Sequence, residues 1–336
     1  MLALEASLAL LLTLSVPLLS RDRPAVQALL MSPYQTARVL SGHARVVISP
    51  DGKKLVSVED NTLILWDLQT GQVLHHLVGH ARPILALAIS PDGRIIASAG
   101  HDKSIKLWDS STGNLLRTLS GHTAWIEAIA FSPDGKMIFS GGGDRALKVW
   151  QVSSGTLTRT LYGHTDAINA LAISPDGQTL VSGDWDTIKL WQLSSGKVFH
   201  NLSEQSFGIN ALAISRDGQT LISGAGDSSI CLWQLSTGVL QAKLLSHTYG
   251  VTSVVVSPDG KTLLSSSMDN TIKLWNLQTR KLQQTLSRQP SIIESIALNQ
   301  DGTLLASGSW GSLIKLWDLR TGAVVRVFAE SNSSLF

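Results

Sequence analysis

Apolar residues fall in short bursts along almost the whole chain, and each burst is closed by a cluster of turn-forming residues. The stretch around Trp108 shows the pattern. Ile84 to Ser90 is an apolar run, Pro91-Asp92-Gly93 is a turn, and Arg94 to Ala99 is a second run. Gly100-His101-Asp102 turns the chain again and Ser104 to Asp109 is a third run. Ser111-Thr112-Gly113 is the next turn, and Asn114 to Leu119 is a fourth run. Proline presets φ for such turns, aspartate caps their backbone, and glycine takes the positive φ. Runs this short do not make globular helices, but they suit strands. Four of them joined by tight turns predict a four-stranded antiparallel meander.

The unit repeats. Ser-Pro-Asp-Gly occurs at Ser49–Gly52, Ser90–Gly93, Ser132–Gly135, Ser174–Gly177 and Ser257–Gly260, with degenerate copies at Ser215–Gly218 and Asn299–Gly302. A second ladder keeps step with it: Trp66, Trp108, Trp150, Trp191, Trp233, Trp275 and Trp317. A lone four-stranded sheet has two apolar faces and can bury neither. Stacked radially, seven such sheets bury each other's faces, and closing the ring protects their edges. The predicted fold is therefore all-β, a seven-bladed β-propeller with a four-stranded antiparallel sheet in each blade. No break in composition interrupts it. The expected organisation is an apolar segment over 1–30, a propeller over 34–330 and a tail over 331–336.

These residues resemble the WD-repeat β-propeller family over most of the chain. Trp-Asp is intact at Trp66-Asp67, Trp108-Asp109 and Trp317-Asp318, while Gln151, Gln192, Gln234 and Asn276 replace the Asp elsewhere. Gly-His stands at Gly42-His43, Gly79-His80, Gly121-His122 and Gly163-His164, with Ser246-His247 a near copy. The resemblance implies a hydrogen-bonded relay of His, Ser, Asp and Trp in each complete blade. Carried onto this chain, the sets are His80, Ser98, Asp102, Trp108; His122, Ser140, Asp144, Trp150; His164, Ser182, Asp186, Trp191; and His247, Ser265, Asp269, Trp275. A buried indole N–H needs an acceptor, a hydroxyl can accept and donate, and imidazole links it to a carboxylate. The first, fifth and seventh blades depart from the pattern and are expected to be looser. The first strand of blade one is short, Glu204-Gln205 replaces Gly-His in the fifth, and Gln289 and Gly311 replace His and Asp in the seventh. Thr36 to Leu40 and Ala323 to Phe328 both resemble an outer strand, and either would complete the last blade.

Composition adds little except at the amino terminus. Hydrophobic residues make up 43% of the 336 and charged residues 15%, a balance opposite to that of disordered chains. The net charge of +2 gives no reason to expect nucleic acid. A single cysteine, Cys231, excludes an intrachain disulfide and a cysteine-based metal site. Ser7 to Leu19 is apolar and about the length of a signal-peptide core, with Val26 and Ala28 three and one before a cleavage point. Glu5 precedes it, and the nearest positive residues, Arg21 and Arg23, lie on the wrong side. Export or a membrane tether is the expectation. The alternatives are an extra helix over residues 2–19 and a cytoplasmic protein.

Repeated His, Ser and Asp also invite a nucleophilic reading. The internal relay explains the same residues without an active site, so no catalytic residue, cofactor or metal is expected. His75-His76 are strand neighbours whose side chains point to opposite faces, so they cannot chelate one ion together. Gly141-Gly142-Gly143 lies in a turn with no helix after it to hold a phosphate. Lys106, Lys148, Lys189, Lys273 and Lys315 recur ahead of the ladder and are read as snorkelling side chains.

Three tryptophans, Trp125, Trp185 and Trp310, lie outside the ladder, in loops that the resemblance places on one face. Corresponding positions supply Phe207, Tyr249, Met268, Glu59, His101, Glu127 and Glu294. Amphipathic aromatics are the residues that interface hot spots use. The expectation is a non-catalytic scaffold that binds a protein or peptide partner there, aromatic at its centre and acidic at its edge. The competing reading has these rings plug the central channel or pack on neighbouring loops. Two other functions stand behind it: an extracytoplasmic sensor or envelope-assembly part, and an enzyme at the central pocket.

Overall fold

The computed structural model describes residues 45–286, 289–311 and 313–328. The apolar amino-terminal segment, His43 and Thr36–Leu40 lie outside the described residues. Among the described residues no helix is long and apolar enough to cross a membrane.

Among the described residues twenty-eight strands form seven four-stranded sheets, and in each the chain runs through four consecutive antiparallel strands. The blades span 46–78, 84–120, 126–162, 170–202, 209–245, 251–285 and 293–328. In the second blade the strands are Ile84–Ile89, Ile95–Gly100, Ser104–Asp109 and Leu115–Ser120. The turn Ser90–Gly93 joins the first two. Ser90 Oγ donates to Asp92 Oδ1 (2.6 Å), the N–H of Arg94 donates to the same carboxylate (3.0 Å), and Gly93 takes φ +73°. The first strand of blade one is only Val46–Ile48.

First strands converge on the axis and fourth strands face solvent. Second and third strands are buried along most of their length, because both faces of each sheet meet a neighbour. Each ladder tryptophan packs against the preceding blade. Trp108, for example, lies with Val58, Leu65 and Leu77 of blade one. Among the described residues there are seven such cores, one more than seven blades in an open row would give. The seventh joins Phe328, Ile314 and Leu316 to Trp66, Val46 and Leu55, and so closes the ring. Phe328 meets the Trp66 ring edge-on at 5.5 Å, and Arg326 donates to the carbonyls of Gln69 and Thr70 (2.7 Å each). Ala323–Phe328 is thus the outer strand of the last blade, paired with Leu313–Asp318.

Candidate functional site

The antiparallel meander puts the His-bearing connections and the turns between second and third strands on one side of the ring. The Ser-Pro-Asp-Gly turns lie on the other. Beneath the first side runs the polar chain of each blade. Trp108 Nε1 donates to Ser98 Oγ (2.8 Å), Ser98 Oγ lies 2.7 Å from His80 Nε2, and His80 Nδ1 lies 2.7 Å from Asp102 Oδ2. The second and fourth sets have the same geometry, His122–Ser140–Asp144–Trp150 and His247–Ser265–Asp269–Trp275. Burial pushes the imidazoles of His80 and His122 below their ordinary value, so they are neutral at physiological pH. Neutral His80 donates from Nδ1 to the carboxylate and accepts the serine proton at Nε2. Every polar atom in the chain is then used. The serine has the connectivity of a triad nucleophile, but it is fully buried and holds an indole N–H in place of a substrate.

Blade four corrects the expected assignment. His164 Nδ1 bonds Asp184 Oδ2 (2.7 Å), and Asp186 is exposed. The turn here is one residue shorter than in blade two: Trp191 follows Ser182 by nine positions, whereas Trp108 follows Ser98 by ten. The relay carboxylate sits two positions after its serine here, in place of four in blade two. Asp184 also accepts from Thr187 N–H (2.8 Å) and Thr187 Oγ1 (2.9 Å), closing a tight turn. Burial would raise its carboxyl, but the bonds from His164 and Thr187 outweigh it and hold it at about 2.

Glutamine stands in for histidine in two blades. Ser223 donates to Gln205 Oε1 while accepting from Trp233 Nε1 (2.9 Å), and Gln205 Nε2 donates to Ser229 O and Oγ (3.0 Å each). In blade seven Trp317 Nε1 still donates to Ser307 Oγ (2.9 Å), and buried Gln289 accepts from Lys315 Nζ. In the first blade Trp66 Nε1 donates to Ser57 Oγ (2.8 Å).

Above this layer, Trp125, Trp185 and Trp310 are 41%, 54% and 50% exposed, and Phe207, Tyr249 and Met268 are exposed with them. Trp125 lies over the turn of its own blade. A Cβ on Gly143 would come within 2.7 Å of its ring, so glycine is what lets the indole lie flat there. His101 flanks it, ring centroids 6.3 Å apart. Trp185 follows the relay residue Asp184, and its ring stands over Gly208. Phe207, at φ +61°, is held outward by a left-handed backbone. Glu59 ends the strand Lys54–Glu59 at the first blade's turn on this side.

Two of the three acids, Glu127 and Glu294, are not at the rim of this surface. Glu127 and Glu294 line a cavity of about 270 Å³ on the axis, together with Arg45, Leu85, Asn169, Asn210, Thr252 and Met268. Arg45 Nη2 donates to Glu127 Oε1 (3.3 Å), and Trp310 Nε1 donates to Glu294 Oε1. The cause lies in the backbone. Glu127, Asn210, Thr252 and Glu294 each occupy a β-bulge in the first strand, and the extra residue re-aims its side chain toward the axis. The centre of the surface therefore holds Glu127 and Glu294 among Arg45, polar side chains, Leu85 and Met268, with aromatics around it. Asn169, Asn210 and Thr252 escape a search for charged or aromatic loop residues. Their shared place in the repeat, that of Glu127 and Glu294, is the signal that finds them. Asn210 and Thr252 also tie blades together, donating to Val251 O (2.9 Å) and Ile293 O (2.5 Å).

The repeated lysines reach along their own blades. Lys106 Nζ donates to Thr118 Oγ1 (3.1 Å), Lys189 to Asn201 Oδ1 (2.8 Å) and Lys273 to Thr285 Oγ1 (3.2 Å). His75 Nε2 donates to Ser111 O of the next blade (3.2 Å), and His200 makes the matching contact to Ser236 O (3.1 Å). Among the described residues no group of His, Cys, Asp and Glu is arranged to hold a metal ion.

Seven meander blades, each with an indole bonded to a buried serine, define a repeat propeller whose polar residues chiefly serve the fold. The chain belongs to the family described as WD domain, G-beta repeat. The family pattern matches seven consecutive units, residues 34–67, 71–109, 113–151, 155–192, 196–234, 238–276 and 280–318. Propellers of this family are generally non-catalytic platforms for other proteins. Individual relatives match over short stretches. A WD repeat-containing protein 26 homolog of Arabidopsis thaliana is 35% identical over 79 residues, 21% of this chain and 13% of that one. WD repeat-containing protein SL1-17 of Schistosoma mansoni is 48% identical over 54 residues, 16% and 18% of the two chains. U3 small nucleolar RNA-interacting protein 2 of Mus musculus is 35% identical over 82 residues, 20% and 17%. The matched stretches thus span less than a fifth of each of these relatives.

Proposed function

We propose that this protein is a non-catalytic scaffold that docks a protein or peptide partner on the side bearing Trp125, Trp185 and Trp310. One observation carries the reading: six large apolar side chains stand exposed in the loops of this side, while the ladder indoles of the same blades are buried. Apolar surface kept in water is unfavourable by about 25 cal/mol per Å², and clusters of it mark interaction sites. Trp125 and Trp310 are also braced, by His101 and Glu294. A braced aromatic loses little side-chain freedom on binding, which favours affinity.

The test is affinity capture with the wild type and with Trp125→Ala, Trp185→Ala and Trp310→Ala combined. These side chains lie outside the blade cores, so the variant should fold and melt like the wild type. Capture should fall at least tenfold, since aromatic hot spots contribute roughly 2 kcal/mol or more each. Undiminished capture by a folded variant would remove the reading.

A further inference from the structure

On the side of the Ser-Pro-Asp-Gly turns, blades three and four enclose a cavity of about 480 Å³. Its floor is Phe139 and Val149, both buried, with Met137 and Leu193 on its walls. The repeat shows why it forms here. The residue before the ladder tryptophan is leucine in six blades, at Leu65, Leu107, Leu190, Leu232, Leu274 and Leu316, and valine only at Val149. The outer-strand bulge alongside it carries Thr158, where the flanking blades carry Leu116 and Phe199. Thr158 Oγ1 donates to Val149 O (2.9 Å), so its side chain is tied to its own blade. Two side chains smaller than their counterparts leave an apolar space within the size range of small-molecule sites.

Charge at the rim selects the ligand. Asp134 and Asp176 come from equivalent turns of adjacent blades. One oxygen of each is held by the turn serine and a backbone N–H. Lys136 Nζ lies 3.7 Å from Asp134 Oδ2, and Arg159 Nη1 donates to Leu193 O (2.8 Å). Asp176 has no ion-pair partner among the described residues. An apolar floor beneath an unneutralised carboxylate suits an apolar body bearing a positive group, which can add a charge-assisted hydrogen bond.

We infer that this cavity binds a small organic cation, its apolar body against Phe139 and Val149 and its ammonium group on Asp176. The site lies on the side opposite the proposed docking surface and stands independently of it.

Calorimetric titration of the full chain tests this with phenethylammonium as probe, 2-phenylethanol as neutral control and 3-phenylpropionate as anionic control. Phenethylammonium should saturate the protein and bind roughly tenfold or more tightly than the alcohol, while the anion should not bind. Val149→Leu installs the residue that six blades already carry, so it should fold normally and weaken binding. Asp176→Asn should reduce the ammonium to the affinity of the alcohol and leave the alcohol unchanged. The proposal is overturned if no probe saturates, if ammonium and alcohol bind alike, or if folded Val149→Leu binds as the wild type does.

Discussion

Ser98, Ser140, Ser182 and Ser265 each sit between an indole and an imidazole, and each uses its hydroxyl proton and a lone pair at once. Because these groups are buried, removing one member leaves its neighbours unpaired, at about 1–3 kcal/mol for each orphaned group. Blade four offers the sharpest contrast. Asp184→Asn should destabilise the protein by an amount in that range, while Asp186→Asn should stay within about 0.5 kcal/mol of wild type. Urea denaturation of the two variants separates them. The pH dependence follows from the same bonds. His80 and His122 are held below 6.5 by burial, so below that pH the unfolded chain takes up protons that the native chain refuses. Stability should be level above about pH 6.5 and fall as acid is added. A further fall is expected below pH 3.8, where Asp102, Asp144 and Asp184 are held deprotonated against their unfolded tendency. Urea midpoints between pH 8 and 2 would show it, and His80→Gln with His122→Gln should flatten the upper part of the slope. Four relay sets are legible in the sequence except for one carboxylate. Counting a fixed offset from Ser182 reaches Asp186, but Asp184 closes a tighter turn through Thr187 and takes the role, and a fixed offset does not detect a turn built differently.

Individual strands matter mainly through the sheets they join. The four-strand unit around Trp108 is readable from its apolar bursts because each is bounded by a turn whose chemistry is local. Strand limits move by a residue, with Gly100 ending a strand in place of opening a turn. Ring closure is not readable in this way. Thr36–Leu40 and Ala323–Phe328 fit the same outer-strand pattern, and the pairing of the latter with Leu313–Asp318 and the packing of Phe328 on Trp66 assign it the place. Phe328→Ala should therefore cost about 3–5 kcal/mol. Hydrogen exchange should locate the loss, with amides in 304–328 and 46–67 exchanging faster and those of blades three to five unchanged. A uniform change around the ring would contradict a closure held at this seam. The bulges that aim Glu127 and Glu294 inward are equally hidden in the sequence. A bulge shows only in the pairing register, and without it both acids read as loop residues at the edge of the surface.

At the scale of the whole molecule the two sides of the ring differ in what they leave exposed. One carries near-identical Ser-Pro-Asp-Gly turns whose hydrogen bonds are satisfied locally. The other carries dissimilar loops, with aromatics around a polar axial cavity. That asymmetry is the basis for assigning partner binding to the second side, and site-specific photo-crosslinking tests it most directly. A photoreactive phenylalanine analogue would replace Phe207 on the loop side or exposed Lys261 on the turn side, in the otherwise unchanged chain. Irradiation should yield a discrete adduct with the partner from position 207 and none from position 261. Adducts from position 261 alone would contradict the assignment.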